Sequence, residues 1–378
     1  LNWYNPQVRE AIFEAMRFWL DRGVDGFRVD VMWHLIKDRR LRNNPPNPDY
    51  DPDRDSPYHR LDPVFSADRP DVHDVVRQMR GVVDEYDDRV LIGEVYLPTG
   101  KLVSYYGASE PEAHMPFNFQ LIETPWDAPH IRQVADRYES AVQETGWPNW
   151  VLGNHDVSRV ASRLGTAQAR TAAVMQLTLR GTPTLYYGEE LGMQDVAIPS
   201  DRVLDERGER APGLGLGRDP ERTPMPWSDD PHGGFTDGEP WLPLADDCRQ
   251  DNVQTQRTDP SSTLSLYRRL IAFHHREPAI VGGEFIPVEV DSGLFAYLRS
   301  DEETAFLIIL NLTNRERTFR PEHACGSGDL VISTHTPEPG GRFSSDGHLI
   351  RANEGLVVRL DELPEYYLKS TGSTMTDV

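Results

Sequence analysis

Apolar residues recur along this chain in two rhythms that alternate for half its length. Val8, Ile12, Ala15, Met16 and Trp19 fall at helical spacing, behind an Asn5-Pro6 start and ahead of a Gly23 stop. Gly26-Phe-Arg-Val-Asp-Val31 then reads as a short strand. Val72, Val75, Val76, Met79, Val82 and Val83 mark a helix over 71–86, and Val90-Leu-Ile92 marks a strand running into Gly93-Glu94. A strand over 115–121, a helix over 131–143, strand Trp150-Val-Leu152, a helix over 167–179 and strand Thr182-Pro-Thr-Leu-Tyr-Tyr187 continue the series. Five apolar strands near residues 26, 90, 116, 150 and 183, separated by helices, predict an α/β fold with a parallel sheet covered on both faces.

Two stretches break the rhythm. Residues 43–71 are rich in proline and read as a long surface excursion, and residues 190–260 are rich in Gly, Pro and Asp and read as a long loop. After a helix over 262–276 the pattern becomes all strand, with Phe285-Ile-Pro-Val-Glu-Val290, Leu294-Phe-Ala-Tyr-Leu298, Ala305-Phe-Leu-Ile-Ile-Leu310 and Gly355-Leu-Val-Val-Arg-Leu360. This predicts a separate antiparallel β domain. The expected division is 1–282 for the α/β part, 283–364 for the β domain, and a polar, disordered tail over 365–378.

The 378 residues are 38% hydrophobic and 26% charged, a globular composition, and no apolar run approaches the length of a membrane span. A net charge of −22 argues against a nucleic-acid partner, because phosphate backbones need a basic surface. Two cysteines, Cys248 and Cys325, cannot build a disulfide framework, so a reducing, cytoplasmic setting is expected. The number of copies in the assembly is not legible in the chain.

Ionisable residues cluster at strand ends. Arg28 and Asp30 share a face of their strand by its period of two, Glu94 follows the second strand, and His155-Asp156 follows the fourth. Polar residues at the carboxyl ends of barrel strands line active sites, so these five predict one pocket. Glycoside hydrolysis needs such a set: an ionised carboxylate nucleophile, a protonated carboxylic acid, and a third carboxylate to steady the oxocarbenium-like charge. Taken singly, Arg28 with Asp30 reads equally as a structural ion pair, and Asp156 as a helix cap. A metal site lacks the His-x-x-x-His or Cys-x-x-Cys spacing that would support it.

Gly26-Phe-Arg-Val-Asp-Val31, Gly93-Glu94-Val95 and Asn154-His-Asp156 with Arg159 resemble three signature regions of the α-amylase superfamily, glycoside hydrolase family 13. Leu1-Asn-Trp-Tyr-Asn-Pro6, Pro116-Phe-Asn-Phe119, Gly188-Glu-Glu-Leu-Gly192 and Arg222-Thr-Pro-Met225 resemble its α-glucosidases and oligo-1,6-glucosidases. The resemblance implies a (β/α)8 barrel followed by a C-terminal β-sandwich. It implies Asp30 as nucleophile, Glu94 as general acid/base and Asp156 as transition-state stabiliser. Arg28, His155 and Arg222 match residues that hold the nucleophile or the first sugar. The implied activity is exo-acting, retaining hydrolysis of short malto- and isomalto-oligosaccharides. Transfer of the glucosyl group to another acceptor, or a non-catalytic binding role, are the alternatives. Val31, directly after the nucleophile position, implies use of α-1,6 linkages.

The resemblance also implies a departure. The strand that carries the nucleophile is the fourth in the family barrel and the first in this chain. The expected fold is therefore an incomplete (β/α)8 barrel, strands four to eight, with raw edges near Gly26 and Thr182 and little activity as an isolated fragment. No cofactor is expected, and a Ca²⁺ or Mg²⁺ site, if the whole protein has one, belongs to the missing N-terminal part.

Overall fold

The structure, a computed structural model, describes residues 1–53, 55, 57–142, 146–210, 217–291, 293–364 and 366–367. Contacts divide the chain into two compact units, 1–120 with 137–149, and 121–136 with 150–378.

In the first unit, helix α1 spans Pro6–Leu20. Its N-cap is Asn5, whose side chain accepts from the Gln7 amide at 3.0 Å, and Pro6 takes the first helical position, where a missing N–H costs nothing. The buried stripe runs through Met16 and Leu20, whereas Trp19 is 51% exposed and rests edge-on against Phe18. Helix α2 (Asp71–Val83) buries all six of its predicted apolar positions. Strands β1 (Gly26–Val29), β2 (Val90–Gly93) and β3 (Met115–Pro116) form a ladder in that order, with both pairings parallel. The chains approach so closely at Gly26 that a Cβ there would lie 2.0 Å from the Val90 carbonyl oxygen.

Two of these strands are shorter than the apolar pattern predicts. β1 stops at Val29, because its ladder with β2 ends there and Val31 turns the chain at φ +39°. β3 is only two residues long, because Asn118 accepts from the Gln120 amide and a helical turn, Gln120–Glu123, follows. The described residues of the excursion over 43–71 are irregular as expected up to the start of α2 at Asp71, apart from a one-turn helix, Pro57–Arg60, and a bridge between Pro46 and Leu61.

The second unit resumes within strand β4 (Asn149–Val151), at Trp150, and β4 is paired with β5 (Thr182–Thr184). Helix Thr166–Thr178 lies between them in sequence and buries ten of its residues. A helix buried on most of its circumference, with Gln168, Thr171, Gln176 and Thr178 among the buried residues, needs cover on several sides. A six-stranded antiparallel sheet supplies part of it, in the order β11-β10-β13-β8-β7-β6 (Arg342–Ser344, Ser327–Ser333, Gly355–Leu360, Ala305–Asn311, Leu294–Ser300, Glu284–Val288). The Tyr297 hydroxyl meets Thr178 Oγ1 at 2.6 Å, and Phe306 packs edge-on against Phe273 of helix Thr263–Arg276. The opposite face buries Leu294, Ala296, Leu307, Ile309 and Val358 with Phe319, Phe343 and Ile350. A two-stranded ladder, β9 (Arg317–Thr318) with β12 (Leu349–Ile350), brings Ile350 into that layer. Burial on both faces explains why β7 and β8 read as unbroken apolar runs.

The predicted sandwich is thus a six-stranded sheet with a small second ladder. β10 escapes the sequence pattern because Gly328 and Asp329 interrupt it and the register shifts between Leu330 and Ile332. Among its described residues the stretch over 190–260 is mostly irregular but contains helices Glu206–Arg210 and Val253–Thr258, the second capped by Asn252. The tail expected over 365–378 lies outside the described residues except for Tyr366 and Tyr367, and Tyr367 is buried, its hydroxyl donating to the His323 carbonyl at 3.3 Å. Among the described residues no helix is long and apolar enough to cross a membrane, and both cysteines are free.

Candidate active site

The register of β1 with β2 places Val29 beside Gly93, so Asp30 and Glu94 leave the ladder at the same level. The junction is tight. The Glu94 amide donates to the Val29 carbonyl at 3.0 Å, the Met32 amide donates to the Glu94 carbonyl at 3.0 Å, and a Cβ on Gly93 would sit 2.6 Å from Met32 Sδ. A larger residue at 93 would force the Met32 thioether to move aside.

Arg28 joins the two carboxylates. Its Nη1 donates to Asp30 Oδ1 and its Nη2 donates to Glu94 Oε2 at 2.8 Å. The Val31 amide donates to the same Glu94 oxygen at 2.9 Å. The two acids sit in different media, with side-chain exposures of 74% for Asp30 and 5% for Glu94. Burial raises the Glu94 carboxyl above its ordinary value. The Val31 amide and Arg28 oppose the rise, and the charge and hydrogen bond of Asp30 add to it. A buried acid raised above its ordinary value beside an exposed, arginine-bound carboxylate is the kind of asymmetry that general acid catalysis with a separate nucleophile uses.

In the second unit, residues 152–158 form a loop after β4 that carries His155 and Asp156. Asn154 Oδ1 accepts from the Asp156 amide at 2.8 Å and turns the loop. Arg218 Nη1 and Arg222 Nη2 both donate to Asp156 Oδ1, at 2.8 and 3.0 Å, and Arg222 Nε holds the His155 carbonyl at 2.8 Å. His155 Nε2 lies 3.5 Å from the same carboxylate oxygen. Burial pushes the Asp156 carboxyl up, but Arg218, His155 and Arg222 together bring it below its ordinary value, so it stays ionised. Arg218 is itself fixed by the buried Asp205 through Nε and Nη2, at 2.9 and 2.8 Å. Arg218 and Arg222 border an open cleft of about 420 Å³, together with Leu204, Arg207 and Arg210.

The structure therefore groups Arg28, Asp30 and Glu94 in one unit, and His155, Asp156 and Arg222 in the other. Sequence reasoning missed Arg218 and Asp205. The available signal was Arg218-Asp-Pro-Glu-Arg222, which places a second arginine four residues before the one identified. Among the described residues no three His, Cys, Asp or Glu side chains are grouped to hold a metal ion.

Residues 1–283 match the family described as "Alpha amylase, catalytic domain". The chain belongs to the alpha-amylase family. It is 30% identical over 383 residues to an oligo-1,6-glucosidase of Halalkalibacterium halodurans, a match covering 91% of this chain and 67% of that protein. It is 32% identical over 376 residues to the amino acid transporter heavy chain SLC3A1 of Homo sapiens, covering 94% and 53% of the two chains. Among solved structures, the alpha-glucosyl transfer enzyme XgtA superposes with a TM-score of 0.84 at 30% identity, covering 95% of this chain and 68% of that one. The chain thus spans 53–70% of the length of the curated relatives it matches. Its alpha-amylase membership and glucosidase relatives support glycosidase chemistry.

Proposed function

We propose that the chain is the C-terminal part of a retaining, exo-acting α-glucosidase, with residues 1–282 supplying strands four to eight of a (β/α)8 barrel and residues 283–364 the β domain that follows in sequence. The observation that carries the reading is the Arg28 bridge between an exposed Asp30 and a buried Glu94 whose carboxyl is raised above its ordinary value. Asp30 attacks the anomeric carbon while Glu94 protonates the departing glycosidic oxygen, and the C–O bond breaks. Glu94, now a carboxylate, takes a proton from water, which attacks the glucosyl–Asp30 ester and releases α-glucose. Asp156, kept ionised by Arg218 and Arg222, stabilises the positive charge that develops on the sugar. His155 and Arg222 bind the terminal glucose. The reaction uses no cofactor, since the carboxylates carry every proton and bond transfer. The substrate class is α-linked gluco-oligosaccharides. Val31 beside the nucleophile supports α-1,6 as well as α-1,4 cleavage, and the two free cysteines support a cytoplasmic setting.

Likeness to an alpha-glucosyl transfer enzyme favours a second reading, in which a sugar or alcohol replaces water in the second step. Retention of Asp30, Glu94 and Asp156 favours either enzyme over a transporter-type binding subunit. The experiment is turnover of maltose, isomaltose and 4-nitrophenyl α-glucoside by the full-length protein, with products analysed with and without added acceptor sugar. Loss of turnover in Asp30→Ala and Glu94→Gln is expected, and turnover unchanged in either variant overturns the roles.

A further inference from the structure

The loop over 152–158 has neither helix nor strand to hold it, yet it carries His155 and Asp156. Its ends are held by one side chain. Arg163, on the one-turn helix Val160–Leu164, donates from Nη2 to the Leu152 carbonyl and from Nε to the Ser158 carbonyl at 3.0 Å. Its third donor group, Nη1, reaches the Ile122 carbonyl at 3.1 Å. The loop thus begins and ends on a single rigid guanidinium, which in turn anchors it to the segment around Ile122. Asp195 supports the far end separately, accepting from Ser158 Oγ at 2.5 Å and from the Arg159 amide at 2.8 Å.

The Asp156 carboxylate is gripped from one side by Arg218 and Arg222, and its backbone is placed from the other by the loop that Arg163 brackets. A carboxylate that stabilises a transition state must be placed to within a fraction of an ångström, and misplacement by about 1 Å can cost on the order of 100-fold in rate. The fork of a guanidinium fixes three acceptors in one plane, whereas an ammonium on a flexible stem does not.

We propose that Arg163 is a positioning residue for Asp156, setting the span of the loop so that the carboxylate meets the sugar as charge develops. The inference rests on the role given to Asp156 above. Arg163 touches no substrate and acts through the loop alone.

The test is a double-mutant cycle in the full-length enzyme, with 4-nitrophenyl α-glucoside as substrate and Arg163→Lys, Asp156→Asn and the double variant compared. The lysine keeps length and charge, and thermal unfolding checks that each variant is folded. Should Arg163→Lys fail to fold, Arg163→Gln takes its place in the cycle. Arg163→Lys should lower kcat by roughly 10- to 100-fold with KM changed by less than about 3-fold, as for an interaction felt mainly in the transition state. In the Asp156→Asn background the same substitution should cost less than about 2-fold. A general structural defect would cost the same in both backgrounds, and that result overturns the proposal, as does an Arg163→Lys enzyme with normal kcat. An Asp156→Asn enzyme with normal turnover overturns the role of Asp156 and the inference with it. Loss in Asp156→Asn with normal rates in Arg163→Lys leaves that role standing and removes Arg163 alone.

Discussion

The Val31 amide donates to Glu94 Oε2 at 2.9 Å, so the residue that follows Asp30 in the chain hydrogen-bonds the other carboxylate. It does so from a left-handed backbone, φ +39°, which a β-branched residue adopts only when its surroundings impose it. The same turn ends β1 and lets Arg28 reach both acids at once. Strain at one residue and the pairing of two carboxylates are thus one local feature.

That feature predicts an unusual tolerance. A left-handed conformation costs an L-residue roughly 1–2 kcal/mol, and glycine in its place gives back about 0.5–1 kcal/mol through chain entropy. Val31 is 38% exposed, so its replacement loses little buried area. Val31→Gly should therefore leave urea-unfolding stability unchanged or raised by up to about 1 kcal/mol. A loss beyond about 1.5 kcal/mol would show that side-chain packing outweighs the backbone term.

Arg28 lowers the Glu94 carboxyl while burial and Asp30 raise it. Removing the arginine leaves only the Val31 amide to oppose them, so the Glu94 value moves further up. Glu94 must be protonated to act as acid, and rate falls as pH rises through its pKa. Arg28→Met should therefore shift the alkaline limb of kcat/KM to higher pH, while the rate at the optimum falls by about 100-fold or more as Asp30 loses its partner. A pH–rate profile on 4-nitrophenyl α-glucoside decides the sign, and a shift to lower pH contradicts it.

Periodicity and short polar motifs made much of this architecture legible. Asn5-Pro6 marks the start of α1 because a cap and a proline are local chemistry, and the six buried residues of α2 follow from helical spacing. Arg28, Asp30 and Glu94 were readable because each sits at the end of an apolar run, and the parallel register then aligns them. Arg218 and Asp205 were not readable, because the two partners stand thirteen positions apart in sequence, a spacing that belongs to neither the helical nor the strand period. Val31 was read as strand because valine is a poor candidate for positive φ, and only the contact with Glu94 accounts for it. Trp19 fits the helical stripe by spacing yet lies outside, since periodicity does not reveal which side of a helix meets a neighbour.

The Asp205–Arg218 pair should matter to stability in an acid-dependent way. Asp205 is held well below the usual carboxylate range, chiefly by its hydrogen bonds from Arg218. A depressed value in the folded state stabilises above the unfolded value, near pH 4, and that stabilisation is lost as pH falls. Asp205→Asn should cost on the order of 2–3 kcal/mol at pH 7, below the range for a fully orphaned charge because Arg218 keeps Asp156. The gap to the wild type should narrow steadily as pH falls below about 4, and denaturant melts at pH 7 and pH 3 test it. A pH-independent gap would mean that the pair acts through shape and not through charge.

Glu189 gives the opposite sign. It is buried, with no hydrogen-bond partner on either carboxyl oxygen among the described residues, and Oε1 lies 2.6 Å from where a Cβ on Gly153 would stand. Burial pushes its carboxyl up to about 8, with the backbone near Tyr186 opposing, Glu190 adding, and Arg163 and Arg159 opposing. The folded chain therefore keeps a proton that the unfolded chain gives up near pH 4.3. Stability falls as pH rises through the window between these values, by at most about 1.4 kcal/mol per pH unit. Glutamine has the same shape and no such titration. Glu189→Gln should match the wild-type melting temperature within about 2 °C at pH 5 and exceed it by several degrees at pH 8, since about 1 kcal/mol shifts Tm by a few degrees in a chain of this size. If the wild type is the more stable form at pH 8, Glu189 is ionised in the folded state and Arg159 and Arg163 outweigh the cost of its burial.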